Sequence, residues 1–229
     1  MERKEFLKKL GMSTVILHLI SACGEDNVTP DTDETEACST TPSETAGPFP
    51  TKDPNSLVLV DIISDRTGVD LTIKITVQNK NNNCAPLADA MVDIWHCDKD
   101  GYYSEYGGTG MQSANFTAYH FLRGRQSTDS DGLAAFASIF PGWYPGRAPH
   151  IHVHIYDSTG KSLLVTQIAF PTDICDTVYT TAAQYTKGKQ DTSNSGDNIF
   201  SDSLENELAT VTGNVSDGYV LTHTIIVNA

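Results

Sequence analysis

The chain has 229 residues, of which 39% are hydrophobic and 8% aromatic, and its formal net charge is −14 at pH 7. That composition allows one well-buried domain and excludes a nucleic-acid-binding role, which needs clustered Lys and Arg to meet phosphate. The sequence shows no internal repeat and no apolar run of about 20 residues that would span a membrane.

The chain begins "MERKEFLKKLGMSTVILHLISAC", which has the layout of a targeting segment. Arg3, Lys4, Lys8 and Lys9 form a charged start, Met12 to Ile20 a short apolar stretch, and Ser21 and Ala22 lead to Cys23. A signal peptide is expected over residues 1–22. "ISAC" resembles the lipobox of bacterial lipoproteins, which implies lipidation of Cys23 and export to the periplasm or cell surface. Membrane attachment is then through the lipid anchor alone. An ordinary secretory signal is the alternative reading, and "RKEFLKK" lacks the second Arg of a twin-arginine signal. Residues 24–37 carry six carboxylates and no base, so residues 23–40 read as a solvated acidic tether. A single domain is expected over 41–229.

From residue 41 onward the pattern is that of short strands. The segments 57–63, 69–77, 90–96, 133–139, 150–156, 162–170 and 220–227 are rich in Val, Ile, Thr and aromatics, and several alternate with period two. "DRTG", "NKNNN", "DKDG", "DSDG" and "DSTG" punctuate them as turns. No segment shows a long helical stripe. The fold class is all-β, a β-sandwich, with the polar stretches 104–120 and 172–216 as long loops. The run "STDSDG" lacks the acids of a Ca2+ loop and reads as an Asp-Gly hairpin turn.

Of five cysteines, four are left if Cys23 is lipidated. In an oxidising compartment Cys38, Cys84, Cys97 and Cys175 predict two disulfides, with Cys84–Cys97 the poorest pairing because a strand separates them. No Cys-x-x-Cys spacing supports a zinc cluster.

The stretch "PGWYPGRAPHIHVHIY" (141–156) carries the chemistry. On a strand His150, His152 and His154 share one face, with Ile151, Val153 and Ile155 on the other. Two imidazoles of a His-x-His reach one ion, so the histidine row leaves open a metal site or a surface ladder. Tyr144 and, from the strand-end segment "WHCDKDGYYSEY", Tyr103 are candidate further donors. A phenol, which titrates near 10 in water, ligates at neutral pH beside a strongly charged ion such as Fe(III), whereas Zn(II) favours His, Cys and carboxylate.

Several motifs in order, "TAGPFP" (45–50), residues 84–104, residues 121–153 and "LLVTQIAF" (163–170), resemble the intradiol ring-cleavage dioxygenases, of the secreted single-domain kind related to the catechol and protocatechuate enzymes. The resemblance implies a non-haem Fe(III) held by Tyr103, Tyr144, His150 and His152, with Tyr144 displaced by substrate and taking up a proton. It assigns Arg147 and Gln167 to the bound ring, whose charge they stabilise. The implied partners are a small aromatic diol and O2. The implied reaction cleaves the ring between its hydroxylated carbons to a cis,cis-muconate-type diacid.

His154 has no ligand counterpart in that family and reads as a supporting residue. Phe49, Tyr102 and Trp143 are candidate pocket walls; His96 reads as structural; Tyr119 and Arg123 are near the site in sequence pattern only. The order "RAPH" and the short Tyr144–His150 spacing depart from the family. A helical dimerisation segment is missing, so both monomer and homodimer stay open. A ring carboxylate would call for an extra Arg or Lys, and none is assignable, which favours plain or substituted catechols. The competing readings are a Zn or Cu enzyme built on all three histidines, and a non-catalytic β-sandwich binding module of the cell surface.

Overall fold

The computed structural model describes residues 38–229; the expected signal peptide, Cys23 and the tether up to residue 37 lie outside the described residues. Two sheets share one core. In the first, β1 (Asp70–Asn79) runs parallel to β9 (Gly218–Val227), which pairs at its far edge with β8 (Thr210–Asn214). The other edge of β1 takes β5 (Leu133–Ile139) and the two-residue β2 (Ala85–Pro86). The second sheet is antiparallel throughout, in the order β4 (Arg123–Ser127), β3 (Met91–Trp95), β6 (His150–Tyr156), β7 (Ser162–Ala169).

Period-two alternation explains the core. Leu71, Ile73, Ile75 and Val77 of β1 and Phe136 of β5 meet Val92 and Ile94 of β3 and Ile151, Val153 and Ile155 of β6. The opposite face of the second sheet thereby receives His150, His152 and His154. The all-β sandwich expected from the sequence is the fold observed.

Three local expectations are corrected, and one strand escapes them. Residues 57–63 form no regular strand. Their backbone crosses between sheets, with Leu57 O accepting from Arg125 N and Val60 O from Ala137 N, so no run of consecutive pairs builds up; Val58 is 63% exposed. The polar β4, "RGRQS", escapes a hydrophobic pattern because Arg123 bonds the loops over the site and Arg125 pairs with Asp93 of β3. Within 172–216 a helix, α1 (Thr172–Thr181), buries only Cys175, Val178 and Tyr179, too narrow a stripe to stand out, and β8 follows it. The "STDSDG" turn exists, with Asp129 Oδ1 accepting from Asp131 N and Leu133 N, but its flanking strands β4 and β5 enter different sheets, so it is no hairpin.

The cysteines also differ from expectation. Cys38 and Cys84 are disulfide-bonded, whereas Cys97 and Cys175 are free and buried. Cys175 packs in the main core and Cys97 in a separate cluster with Phe49, Trp95 and Tyr103, which keeps the two thiols from pairing.

The segment after α1 returns to β7 through backbone bonds between Ala169 and Glu207 and between Ala209 and Ala169. This buries the Glu207 side chain completely (0% exposed). Its Oε2 accepts from Ser203 Oγ at 2.9 Å, and Oε1 has no partner among the described residues. Burial foremost, with Glu44, Asp202 and Asp197 adding repulsion, pushes its carboxyl up from 4.5 to about 7. Because the folded value is raised, the burden on stability is absent below pH 4.5 and complete above pH 7. Glu207→Gln should therefore raise the thermal midpoint at pH 8 and leave it unchanged at pH 4, read from melting curves of both proteins across that range.

Candidate metal centre

The site sits on the outer face of the second sheet. Register places Trp95, His152 and Gln167 in one row across β3, β6 and β7, with His150 opposite Ala169 on the next row. The rings of Trp95 and His152 lie parallel, 5.0 Å apart at 4°. Gly47 of "TAGPFP", at φ +65°, also stands against His152; a Cβ there would fall 2.8 Å from His152 Cε1. Only glycine fits both that backbone conformation and that approach.

Two loops bring phenols over this row. Tyr103 follows β3 and is 1% exposed. The side-chain amide of Gln112 fixes it by accepting from Tyr103 N at 2.7 Å and donating to Tyr103 O at 2.8 Å. Tyr144 follows β5 in "PGWY". Gly142 there donates to Asp98 O at 3.0 Å, and a Cβ at Gly142 would meet Lys99 O at 2.3 Å.

The donors converge on His150. Its Nδ1–H donates to Ala148 O at 2.6 Å, so Nε2 carries the lone pair. Tyr103 Oη lies 3.3 Å from that nitrogen, Tyr144 Oη 3.4 Å and His152 Nε2 3.2 Å. One lone pair cannot serve three neighbours. Neighbouring ligands at right angles about 2.1 Å from one ion stand about 3 Å apart, close to the separations of these three atoms from His150 Nε2. His152 Nδ1 is buried without a partner among the described residues, so no competing protein bond restrains that ring.

The electrostatics leave all four donors neutral. Burial foremost, then Arg147, depresses His150 to about 3, and burial with His150 holds His152 well below its usual range. Burial raises the Tyr144 phenol, against the pull of Arg147, and raises Tyr103 further, aided by Tyr144. The protein alone thus keeps two neutral imidazoles and two protonated phenols. A strongly charged ion would turn the phenols into phenolates while taking the imidazoles as they are.

His154 stands outside this group. Its nitrogens engage Ser162 Oγ at 2.8 Å and Tyr156 Oη at 2.9 Å. Among the described residues no three His, Cys, Asp or Glu side chains converge as a metal cluster, which leaves the three-histidine zinc or copper site without support. His96 bonds Cys97 O and Ser138 Oγ and is structural.

Arg147 and Gln167 meet directly, Nη2 donating to Oε1 at 2.6 Å, while Gln167 Nε2 donates to Thr45 O at 2.9 Å. Sequence reasoning missed what fixes them. Asp197, fully buried, accepts from Arg147 Nε at 2.8 Å and Ala148 N at 2.7 Å through Oδ2, and from Ile199 N through Oδ1. No local motif announces a partner 50 residues away. A cavity of about 510 Å3 opens in front of Tyr144, walled by Phe49, Tyr102, Met111, Pro145 and Lys187 among others. Trp143 is not part of that wall: its Nε1–H donates to Gly188 O and its ring lies under Lys187. Tyr119 packs on Phe116 and Phe121, away from the donors. Asp197→Ala would leave the Arg147 guanidinium and Ala148 N–H without their acceptor, and should cost about 3 kcal/mol in urea denaturation.

The family model described as "Dioxygenase" matches residues 49–207. The chain is 35% identical over 122 residues to catechol 1,2-dioxygenase 1 of Acinetobacter lwoffii, covering 45% of this chain and 37% of that enzyme. It is 28% identical over 149 residues to hydroxyquinol 1,2-dioxygenase of a Rhizobium species, covering 57% of this chain and 48% of that enzyme. The chain thus spans less than half the length of these curated relatives. Its fold superposes on the solved intradiol ring-cleavage dioxygenase of Tetranychus urticae with a TM-score of 0.72 at 26% identity, over 83% of this chain and 95% of that one. With the sandwich, the paired phenols and imidazoles, and the matched residues in agreement, the chain belongs to the intradiol ring-cleavage dioxygenase family.

Proposed function

We propose that the protein holds one non-haem Fe(III) on Tyr103, Tyr144, His150 and His152 and cleaves a catechol-type ring between its hydroxylated carbons with O2, giving a cis,cis-muconate-type diacid. The observation that carries this reading is the convergence of three donor atoms on His150 Nε2 within 3.4 Å. When bound, the ferric ion supplies Lewis acidity and the electronic coupling between diol and O2.

The chain's own residues do the rest. Tyr144 borders the cavity, so its oxygen is the base within reach of a diol proton; Tyr103 is sealed behind it and stays in place. Arg147, locked by Asp197 and Gln167, holds a fixed positive charge beside Tyr144 where the ring accumulates negative charge. Phe49 and Tyr102 clamp an aromatic ring and exclude water.

The iron-loaded protein should be red-brown from tyrosinate-to-iron charge transfer and should consume O2 with catechol. Tyr103→Phe and Tyr144→Phe should each shift that band, and Arg147→Ala should lower kcat about 100-fold with a smaller change in KM. A colourless protein with stoichiometric zinc would overturn the proposal. The reading extends to location: lipidated Cys23 would tether the enzyme outside the cytoplasm. Fatty-acid labelling of the expressed full chain, lost in Cys23→Ser, is the expected outcome.

A further inference from the structure

One cation at the cavity wall has no role in the chemistry above. Between residues 172 and 216 the only basic residues are Lys187 and Lys189. Lys189 pairs with Asp176 at 2.6 Å. Lys187 has no carboxylate partner among the described residues. Its Nζ donates to Trp143 O at 2.7 Å and stands 4.2 Å over the Trp143 ring. A Cβ on Gly101 would lie 3.3 Å from that nitrogen, so the ammonium is seated against backbone from two loops. An ammonium has three donors, and the protein uses one. Asp100, the acid on the same wall, is engaged by Lys99 at 2.7 Å. The cavity therefore presents one uncompensated positive charge in a chain of net charge −14.

The geometry points to Lys187 as the residue that selects ring diols carrying a carboxylate on a short side arm, an inference that rests on the ring-cleavage reading. Lys187 lines the same cavity as Tyr144 but is held by Trp143 O rather than by any of the four donors, so a substituent on a diol placed against Tyr144 is what would meet it. A cavity of about 510 Å3 falls in the range that holds drug-sized ligands, and a bare catechol fills a small part of it. Phe49, Tyr102, Met111 and Pro145 supply apolar walls for the arm between ring and carboxylate. Within the plain or substituted catechols favoured from the sequence, Lys187 would single out those with a carboxylate on a short arm.

The test uses the iron-loaded full chain and a ladder of ring diols with adjacent hydroxyls: catechol, dihydroxybenzoate, dihydroxyphenylacetate and dihydroxyphenylpropionate, each acid beside its methyl ester. The wild-type enzyme should show KM for the longer-armed acids about 3- to 5-fold below their esters, a difference that shrinks with added salt. Lys187→Gln should abolish that preference and Lys187→Glu reverse it, with a much smaller change in kcat/KM for catechol than for the acids in both. Calorimetric binding of the acids and esters to the metal-free chain should show the same ordering. Turnover of catechol with acids and esters treated alike, or an equal loss for catechol and acids in Lys187→Gln, would overturn the role of Lys187 alone. No turnover of any diol by the iron-loaded protein would overturn the ring-cleavage reading and this one with it.

Discussion

The site depends on one buried guanidinium. Arg123 on β4 is 0% exposed, yet it donates to Ser104 Oγ at 2.9 Å, Ser104 O at 2.7 Å, Phe49 O at 2.9 Å and Thr51 Oγ1 at 3.2 Å. Those acceptors belong to two segments. One carries Tyr103; the other runs from Gly47, which covers His152, to Phe49, which walls the cavity. A buried charge is tolerable only when its donors are satisfied, so the fold is bound to keep both segments where Arg123 meets them. Burial lowers its pKa only to about 10, against the support of Glu105, so it stays charged at neutral pH. Glu105 in turn accepts from Lys52 N and engages His120 Nδ1, both at 2.8 Å, which ties residue 52 into the same knot. Lysine could not replace it, because the planar fork serves four acceptors in fixed directions.

How far the sequence reveals this follows from the range of each interaction. The sandwich is legible because β1 and β6 alternate strictly, a pattern set by burial within a single strand. The helix α1 and the crossing segment 57–63 are not, since one is short with a narrow buried stripe and the other divides its bonds between two sheets. The candidate metal donors stand out through local spacing and the family's ordered motifs. Asp197, Gln112 and Lys187 do not, because each acts on residues far along the chain or across a loop, and nothing beside them in sequence marks the contact. The disulfide count fails for a similar reason: parity predicts pairs, but packing places Cys97 and Cys175 in different clusters.

Strand geometry also explains why the site mixes imidazoles with phenols. Along a strand, side chains on one face recur about every 6.7 Å, so residues i and i+2 can lean toward one point, while i and i+4 are about 13 Å apart. His150 and His152 meet that limit and their ring nitrogens stand 3.2 Å apart. His154 exceeds it and turns instead to Ser162 and Tyr156. The neighbouring strand positions are taken by Trp95, Gln167 and Ala169, so the third and fourth donors descend from loops, which is where Tyr103 and Tyr144 originate. Loops are mobile unless held, so the cost of recruiting donors this way is an investment of buried polar contacts: Gln112 and Arg123 for Tyr103, and the close approach of Gly142 to the 98–99 backbone for Tyr144. The same enclosure strips water from the phenols and raises them above their ordinary titration. A cation of high charge would reverse that penalty, so burial, as much as the identity of the donors, would favour a highly charged ion at this site.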